Sequence, residues 1–170
     1  MREPSPQRKL VVGIGEYAVT GSRDVVLASY SLGSCIGISI YDPVVGVGGI
    51  AHIMLPSSRL APDKSLARPG LFMDTALPAL LRQAELVHAQ KDRLVVCVAG
   101  GGRIVDPSGT FNIGQRNCEA LREALETQAL RVAASELGGP VNRTMYLQLD
   151  TGEVRIKISG HPGEIVLCKP

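Results

Sequence analysis

One cysteine of this sequence lies between two glycines, in a stretch whose flanks have the residue types of β-strands. The stretch covers residues 30–42, YSLGSCIGISIYD, and its cysteine is Cys35. A histidine, His52, follows in the apolar run AHIMLP. A free thiol has a pKa near ~8.5 and attacks only as a thiolate, so a catalytic cysteine needs a basic neighbour or nearby backbone N–H groups. Cys35 and His52 are therefore a candidate nucleophile and base.

His52 is the best placed of the three histidines to act on Cys35. His88 lies at the end of a predicted helix, and His161 lies in a turn-like SGHPGE stretch. Predicted strands at 35–41 and 47–54 are separated by a short connection that begins with the turn signal Asp-Pro. An antiparallel hairpin there would bring Cys35 close to His52.

Local spacing alone leaves a structural interpretation open. Cysteine often only fills space in a core, and a histidine in an apolar strand is often a satisfied core group. The Gly33-x-Cys35-x-Gly37 pattern also resembles the nucleophile elbow of α/β-hydrolases. That elbow needs a helix directly after the nucleophile, whereas CIGISIY has a β pattern, so the sequence disfavours it. Glycines at this turn allow close approach of a substrate, and the turn could supply an oxyanion hole.

The remaining elements are read from apolar periodicity and turn residues. Strands are predicted over residues 9–19, 24–31, 35–41 and 47–54, as a meander, and later over 93–99 and 130–137, with a hairpin over 144–149 and 153–159. Helices are predicted over residues 71–88, with Pro78 either in the first turn or at a kink, and from residue 112 onward. Residues 56–70 are predicted to form a long surface loop.

This order predicts the fold class. It is α/β, a single domain of mixed β-sheet layers with two main helices packed on one side, an α/β/β-like three-layer arrangement. The polar, proline-bearing residues 1–8 are predicted to form a flexible N-terminal arm, and residues 9–170 the domain.

Composition argues against several classes of function. The chain has 170 residues and a net charge of +2, without the basic patches of a nucleic-acid-binding protein. No apolar run approaches the roughly 20 residues needed to cross a bilayer, and the N-terminus lacks a signal-peptide core, so we expect a cytoplasmic location.

The four cysteines form no C-x-x-C pair, so we expect no metal site. Without a secretory signal, we expect all four to be reduced thiols. The glycine-rich segments 100–102 and 112–114 lack the Gly-Lys-Ser/Thr of a P-loop, so we interpret them as close-packing turns and expect no cofactor.

Several short stretches, in order along most of the chain, resemble the CheD family of bacterial and archaeal chemotaxis proteins. They are GIGEY at 13–17, LGSC at 32–35, Asp42-Pro43, AHIMLP at 51–56, AGG at 99–101 and NIGQRN at 112–117. The pair LGSC and HxMLP is the most specific of these. The last residues, from about Gly160, match least.

The resemblance implies an active site of a cysteine nucleophile, a histidine and a threonine hydroxyl. The first two fall on Cys35 and His52. The threonine position, six residues before the cysteine, holds Ser29, which keeps the hydroxyl but loses the methyl group that restricts the rotamer. Ser29 would orient His52. From the turn itself, we expect backbone N–H groups near Ser34 and Cys35 to hold the oxyanion, with Gly33 and Ser34 as its support.

The implied function is a protein-glutamine glutaminase, an amidohydrolase of chemotaxis. It would convert glutamine side chains on the cytoplasmic helices of chemoreceptors to glutamate and ammonia through a thioester on Cys35. Some relatives also hydrolyse receptor methyl-glutamates, and this sequence leaves that activity open. The alternative is a binding and regulatory module for a CheC-type phosphatase with weak or no catalysis, for which the serine at position 29 leaves room.

Overall fold

The computed structural model describes residues 7–104 and 108–170, and its elements follow nearly the predicted order. The strands in this part of the chain are β1 (Arg8–Val11), β2 (Tyr17–Thr20), β3 (Val25–Leu32), β4 (Ile36–Asp42), β5 (Val47–Ile53), β6 (Val95–Gly100), β7 (Val132–Leu137), β8 (Arg143–Gln148), β9 (Val154–Ile158) and β10 (Ile165–Cys168). The α-helices are α1 (Pro62–Ala67), α2 (Met73–Leu86) and α3 (Ile113–Thr127), and short 3₁₀ turns lie at Ser58–Leu60, Pro69–Leu71 and Lys91–Arg93.

The strands form two mixed five-stranded sheets. The outer sheet has the order β1-β3-β8-β9-β10, and the central sheet has the order β2-β5-β4-β6-β7. Strand β1 runs parallel to β3 and β6 runs parallel to β7, while the other neighbours are antiparallel. The first strands therefore do not form the predicted meander, because β1 and β3 belong to one sheet and β2, β4 and β5 to the other.

Alternation along the central strands produces three layers. Successive side chains of a strand point to opposite faces, so a strand buried on both sides supplies two cores. On β4, Ile36, Ile38 and Ile40 pack with the apolar faces of α2 and α3. Tyr41 of the same strand packs instead with residues of the outer sheet such as Leu147. The order is thus helices, central sheet and outer sheet, which confirms the predicted α/β/β-like arrangement.

The strand predicted over residues 9–19 is wrong as a single element. The chain pairs first with the outer sheet as β1, turns, and pairs with the central sheet as β2. Gly15 in the turn has φ +75°, and a Cβ there would lie 2.5 Å from Leu71 Cδ2. The glycines that interrupt the apolar pattern therefore mark a change of sheet, which periodicity alone does not reveal.

Three smaller differences from the predicted elements remain. The loop predicted over residues 56–70 contains α1 and two 3₁₀ turns. Pro78 is the sixth residue of α2, so of its two predicted placements the one in the first turn is wrong. Strand β10 had no predicted counterpart; it pairs with β9 through an irregular register. Of the predicted arm, residues 1–6 lie outside the described residues, and Arg8 is the first residue of β1.

A buried aspartate fixes the end of β4 next to the hairpin turn. Asp42 is fully buried; its Oδ1 accepts from Val44 N at 2.9 Å, and its Oδ2 accepts from Gln90 N at 2.8 Å and from Arg93 Nη2 at 2.7 Å. Burial alone raises the pKa of Asp42, but the hydrogen bonds from Arg93 and the two backbone N–H groups outweigh it and leave the pKa below its usual value. Asp42 thus ties the β4–β5 turn to the segment that leads into β6.

We expect Asp42→Ala to lower the free energy of unfolding by about 3 kcal/mol at pH 7, because Arg93 and Gln90 lose a buried anionic acceptor. The pKa of Asp42 in the folded protein lies below its ordinary value of about 3.9. The stabilisation by Asp42 is therefore complete above that ordinary value and is lost as the pH falls through the folded-state pKa. The gap between wild type and variant should therefore narrow as acid is added. Urea denaturation measures both effects, with Asp24→Ala, at an exposed position, as control. Equal unfolding free energies at pH 7 would contradict this role.

Candidate active site

A cavity of about 610 Å³ opens where β3 ends, β4 begins and α3 begins. Gly33, Ser34 and Cys35 all line it, so the predicted nucleophile and its turn face this cavity. His52 and Ser29 are 1% and 0% exposed, and they lie behind the cavity in the space between the two sheets. The structure thus places Gly33, Ser34 and Cys35 at the cavity and joins His52 to Ser29 by a hydrogen bond. In the described residues His52 Nε2 has no hydrogen-bond partner, so it is not bonded to the Cys35 thiol.

The β4–β5 hairpin places Cys35 and His52 on the same face of the central sheet, as predicted. Gly37 lies directly opposite His52 in the ladder. Cys35 precedes Gly37 by two residues, so it shares this face and is a diagonal neighbour of His52. Burial agrees with this placement, because Cys35 belongs to the core between the two sheets and is only 8% exposed.

Ser29 reaches His52 from the facing strand β3. Its Oγ lies 2.9 Å from His52 Nδ1 and 3.2 Å from the carbonyl oxygen of Val12. That carbonyl can only accept, so the single hydroxyl proton of Ser29 goes to Val12, and His52 Nδ1–H donates to Ser29 Oγ. The hydrogen-bond network therefore assigns the tautomer in which Nε2 carries the lone pair. Among the described residues, Nε2 is buried and has no hydrogen-bond partner.

The turn between β1 and β2 holds the backbone of His52 in place. Gly15 N donates to His52 O at 2.8 Å, and His52 N donates to Glu16 O at 2.9 Å. These two bonds extend the pairing of β2 with β5 up to the histidine. The GIGEY stretch is therefore part of the support of the candidate base.

Burial keeps both members of the pair uncharged. It lowers the pKa of His52, which the Val12 carbonyl and the charge of Glu16 only partly offset. It raises the pKa of the Cys35 thiol, against a smaller lowering by the backbone N–H of Cys35 itself. At neutral pH the resting site thus holds a neutral thiol and a neutral imidazole.

The glycine run after β6 packs against the nucleophile turn. Gly101 N donates to Cys35 O at 2.9 Å, and Gly102 N donates to Gly33 O at 2.7 Å. Gly100 has φ +113°, and a Cβ there would lie 2.0 Å from Cys35 O, so no side chain fits. A Cβ at Gly114, in the first turn of α3, would lie 2.2 Å from Gly102 O. The interpretation of these segments as close-packing turns is thus confirmed.

Of the two glycines that flank Cys35, Gly37 has a role different from the predicted one. A Cβ at Gly37 would lie 2.7 Å from Leu32 Cδ1, so this glycine makes room for a core leucine and not for a substrate. A Cβ at Gly33 would meet nothing closer than 3.6 Å, the distance to Ile104 Cδ1. Gly33 and Ser34 contribute to the site through their backbone and their place in the cavity wall.

Sequence reasoning assigned no role to Asn117, although NIGQRN was one of the matching stretches. Asn117 is fully buried, and its Nδ2 donates to Ser34 O at 2.9 Å and to Met54 O at 3.0 Å. It stands one and two turns before the buried Leu121 and Leu125 of α3. A polar residue in the apolar stripe of a helix is the signal that could have identified it.

The described residues contain neither a cluster of metal ligands nor a membrane-spanning helix. Within residues 7–104 and 108–170, no three His, Cys, Asp or Glu side chains lie close enough together to hold a metal ion. In the same part of the chain, no helix is long and apolar enough to span a bilayer. None of the four cysteines is paired in a disulfide, and all four lie in the described residues.

Comparison with known proteins places these features in one family. A family model described as CheD chemotactic sensory transduction matches residues 54–158. Probable chemoreceptor glutamine deamidase CheD 1 of Syntrophus aciditrophicus is 40% identical over 153 residues, which cover 90% of this chain and 96% of the relative. CheD 2 of Anaeromyxobacter dehalogenans, also a probable chemoreceptor glutamine deamidase, is 41% identical over 148 residues, covering 87% and 93%. The similarly named protein of Pyrococcus abyssi is 37% identical over 152 residues, covering 88% and 91%.

We expect the neutral imidazole of His52 to carry its proton on Nδ1, because Ser29 Oγ donates its own proton to the Val12 carbonyl and so accepts from His52. Nitrogen-15 NMR of histidine-labelled protein near pH 7.5 distinguishes a protonated from an unprotonated ring nitrogen. His88 and His161, both exposed, serve as internal references, and His52→Gln identifies the signal. A proton on Nε2 of His52 would contradict the assigned network.

Proposed function

Because the chain belongs to the CheD family, we propose that it is a chemoreceptor glutamine deamidase, an amidohydrolase that converts receptor glutamine side chains to glutamate and ammonia. The relatives at 40% and 41% identity carry this activity in their names. The observation that supports it most strongly is the buried His52, bonded through Nδ1 to Ser29 and left with a free Nε2 on the face that it shares with Cys35. A nucleophile, a base and a group that orients the base are the parts that acyl transfer needs.

In the first half of the reaction, His52 Nε2 takes the proton of the Cys35 thiol as the sulfur attacks the carboxamide carbon of a glutamine. The C=O π pair moves to the oxygen, and the resulting oxyanion accepts hydrogen bonds from backbone N–H groups of the turn, that of Cys35 among them. When the C=O bond re-forms, the C–N bond breaks, and the imidazolium gives its proton to the departing nitrogen. Ammonia leaves, and a thioester remains on Cys35.

In the second half, water replaces ammonia. His52, neutral again, takes a proton from a water molecule that attacks the thioester carbon, and the C–S bond then breaks. The sulfur regains a proton from the imidazolium, and the products are a glutamate side chain and the free enzyme. Throughout, the hydroxyl of Ser29 holds the imidazole in the Nδ1–H tautomer, which is the role that the family resemblance gives to a threonine.

The mouth of the cavity fits a side chain presented by an amphipathic helix. Four apolar side chains at its rim are substantially exposed: Ile14 at 47%, Met54 at 43%, Ile104 at 38% and Phe111 at 71%. Such a rim can cover apolar residues on either side of a glutamine while the carboxamide enters toward Cys35. We propose the cytoplasmic helices of a chemoreceptor as this substrate, which implies that the enzyme acts in the cytoplasm.

Binding of a CheC-type phosphatase, which the resemblance implies, stays a prediction. A protein that served only as such a module would not need a base kept neutral and oriented by a buried hydroxyl. Loss of every cellular effect in Cys35→Ala would favour catalysis as the main role, whereas full retention would favour the module.

We expect wild-type protein to convert glutamine to glutamate in a chemoreceptor cytoplasmic fragment, and Cys35→Ala to give no conversion above a buffer blank, because no other group takes the place of the nucleophile. Peptide mass spectrometry locates the converted positions. Cys168→Ala, which removes a thiol that does not line the cavity, is the matched control and should remain active. Conversion by Cys35→Ala at the wild-type rate would disprove the assignment of the nucleophile.

We expect kcat/KM to fall in acid with a midpoint below the ordinary histidine value of about 6.5, because burial lowers the pKa of His52 and only the neutral ring accepts a proton. Since burial raises the pKa of Cys35, the rate should stay level through neutral pH and not follow thiol ionisation. His52→Ala should lose about 10²-fold or more, without the acid limb. A rate–pH series with the receptor fragment measures this. A midpoint above pH 7 would contradict the neutral-pair mechanism.

A further inference from the structure

Asn117 joins the segments at Ser34 and Met54, at the point where the pairing of β4 with β5 ends. The last ladder pair between β4 and β5 is Ile36 with Ile53, so Cys35 and Met54 lie just beyond it. Past this pair β5 turns away, and Met54 N donates to Leu71 O at 3.1 Å. The only side chain that bridges Ser34 and Met54 in the described residues is that of Asn117, through bonds of 2.9 and 3.0 Å.

The chemistry of the contact fixes the orientation of the amide. Each proton of the NH₂ group of Asn117 points to one carbonyl oxygen, and a flipped amide would set Oδ1 against both of these acceptors. Oδ1 consequently faces the other way, where it is buried and has no partner among the described residues. Asn117 therefore keeps one polar atom unsatisfied while its two donors hold the site.

If Asn117 served only to pack the core, an asparagine at this position would be unfavourable. Asn117 occupies the same helix face as Leu121 and Leu125, which lie in the core between α3 and the central sheet. An apolar residue would suit that face without an unsatisfied oxygen. A buried polar residue without full hydrogen bonding is expected mainly at a functional site. Here the carbonyl of Ser34 directly precedes Cys35, and the carbonyl of Met54 lies two residues after His52.

We propose that Asn117 is a positioning residue of the deamidation reaction: it clamps the Ser34–Cys35 turn to the segment after His52 and so sets the placement of the thiol relative to the imidazole. The inference rests on the proposed function for its effect on turnover. Asn117 does not line the cavity, so it acts through the two carbonyls and not on the substrate. A shift of the nucleophile by about 1 Å can reduce a rate by about 10²-fold, and the clamp prevents such a shift.

The first test compares kinetics on the receptor fragment. Asn117→Leu suits the apolar face but donates no hydrogen bond, and Asn117→Ser serves as a second variant if the leucine protein folds poorly. We expect kcat to fall by about 10- to 100-fold with KM within about threefold of wild type, since the cavity wall that binds substrate is retained. Leu125→Ala, a buried truncation in the same helix, is the control for loss of stability and should keep kcat once corrected for folded protein. An unchanged kcat in the Asn117 variants would overturn the proposal.

The second test needs no receptor. Iodoacetamide alkylation of Cys35, followed at the peptide level, is measured in wild type, His52→Ala, Asn117→Leu and the double variant. Introduced into the wild-type protein, His52→Ala should slow alkylation by at least about tenfold. Introduced into the Asn117→Leu variant, it should slow alkylation by less than about threefold, because there the imidazole is already out of position relative to the thiol. Equal effects of His52→Ala in the two backgrounds would overturn the positioning role even if deamidation is observed. Non-additive effects without deamidation would instead leave the clamp in place and refute the proposed function.

Discussion

The register of the β4–β5 hairpin is the constraint on which the site depends. Gly37 pairs with His52, and Ile36 pairs with Ile53. Side chains alternate between faces, so a slip of one residue between the two strands would either turn His52 toward the helices or turn the isoleucines of β4 toward the outer sheet. The isoleucines are held by the core beneath α2 and α3. Packing of that core and presentation of the base to Ser29 are therefore consequences of a single alignment.

A second feature of the site is that its parts are held by groups that carry no charge. Backbone bonds from Gly101 and Gly102 fix the nucleophile turn, an asparagine clamps it, and a serine hydroxyl orients the histidine. Charged partners in this buried place would carry a large desolvation cost and would favour an ion pair between thiol and imidazole. In the proposed mechanism, neutral partners mean that charge separates only when a substrate is attacked.

The sequence predicted the parts of this site that depend on local pattern. The hairpin, its antiparallel pairing and the placement of Cys35 and His52 on one face of the sheet follow from alternation and a short turn. The layer order follows from helices placed between β-rich ends. Two kinds of feature escaped. The change of sheet within residues 9–19 depends on which distant strand each half meets, and the clamp by Asn117 depends on two carbonyls that are 83 and 63 positions away in sequence. Ser29 was identified through the family resemblance, and its 2.9 Å contact with His52 is what the structure adds.

In the proposed reaction the Cys35 thiol becomes covalently attached to the receptor glutamine with loss of ammonia. This attachment can be tested by rapid mixing of the protein with excess receptor fragment, acid quenching within the first turnover and intact-mass spectrometry. We expect a transient species whose mass is the sum of the two chains less one ammonia. Its linkage should map to Cys35, and it should decay as glutamate appears. Formation of glutamate with no such species at any time in the first turnover, under conditions where a synthetic thioester survives the quench, would contradict the proposed reaction.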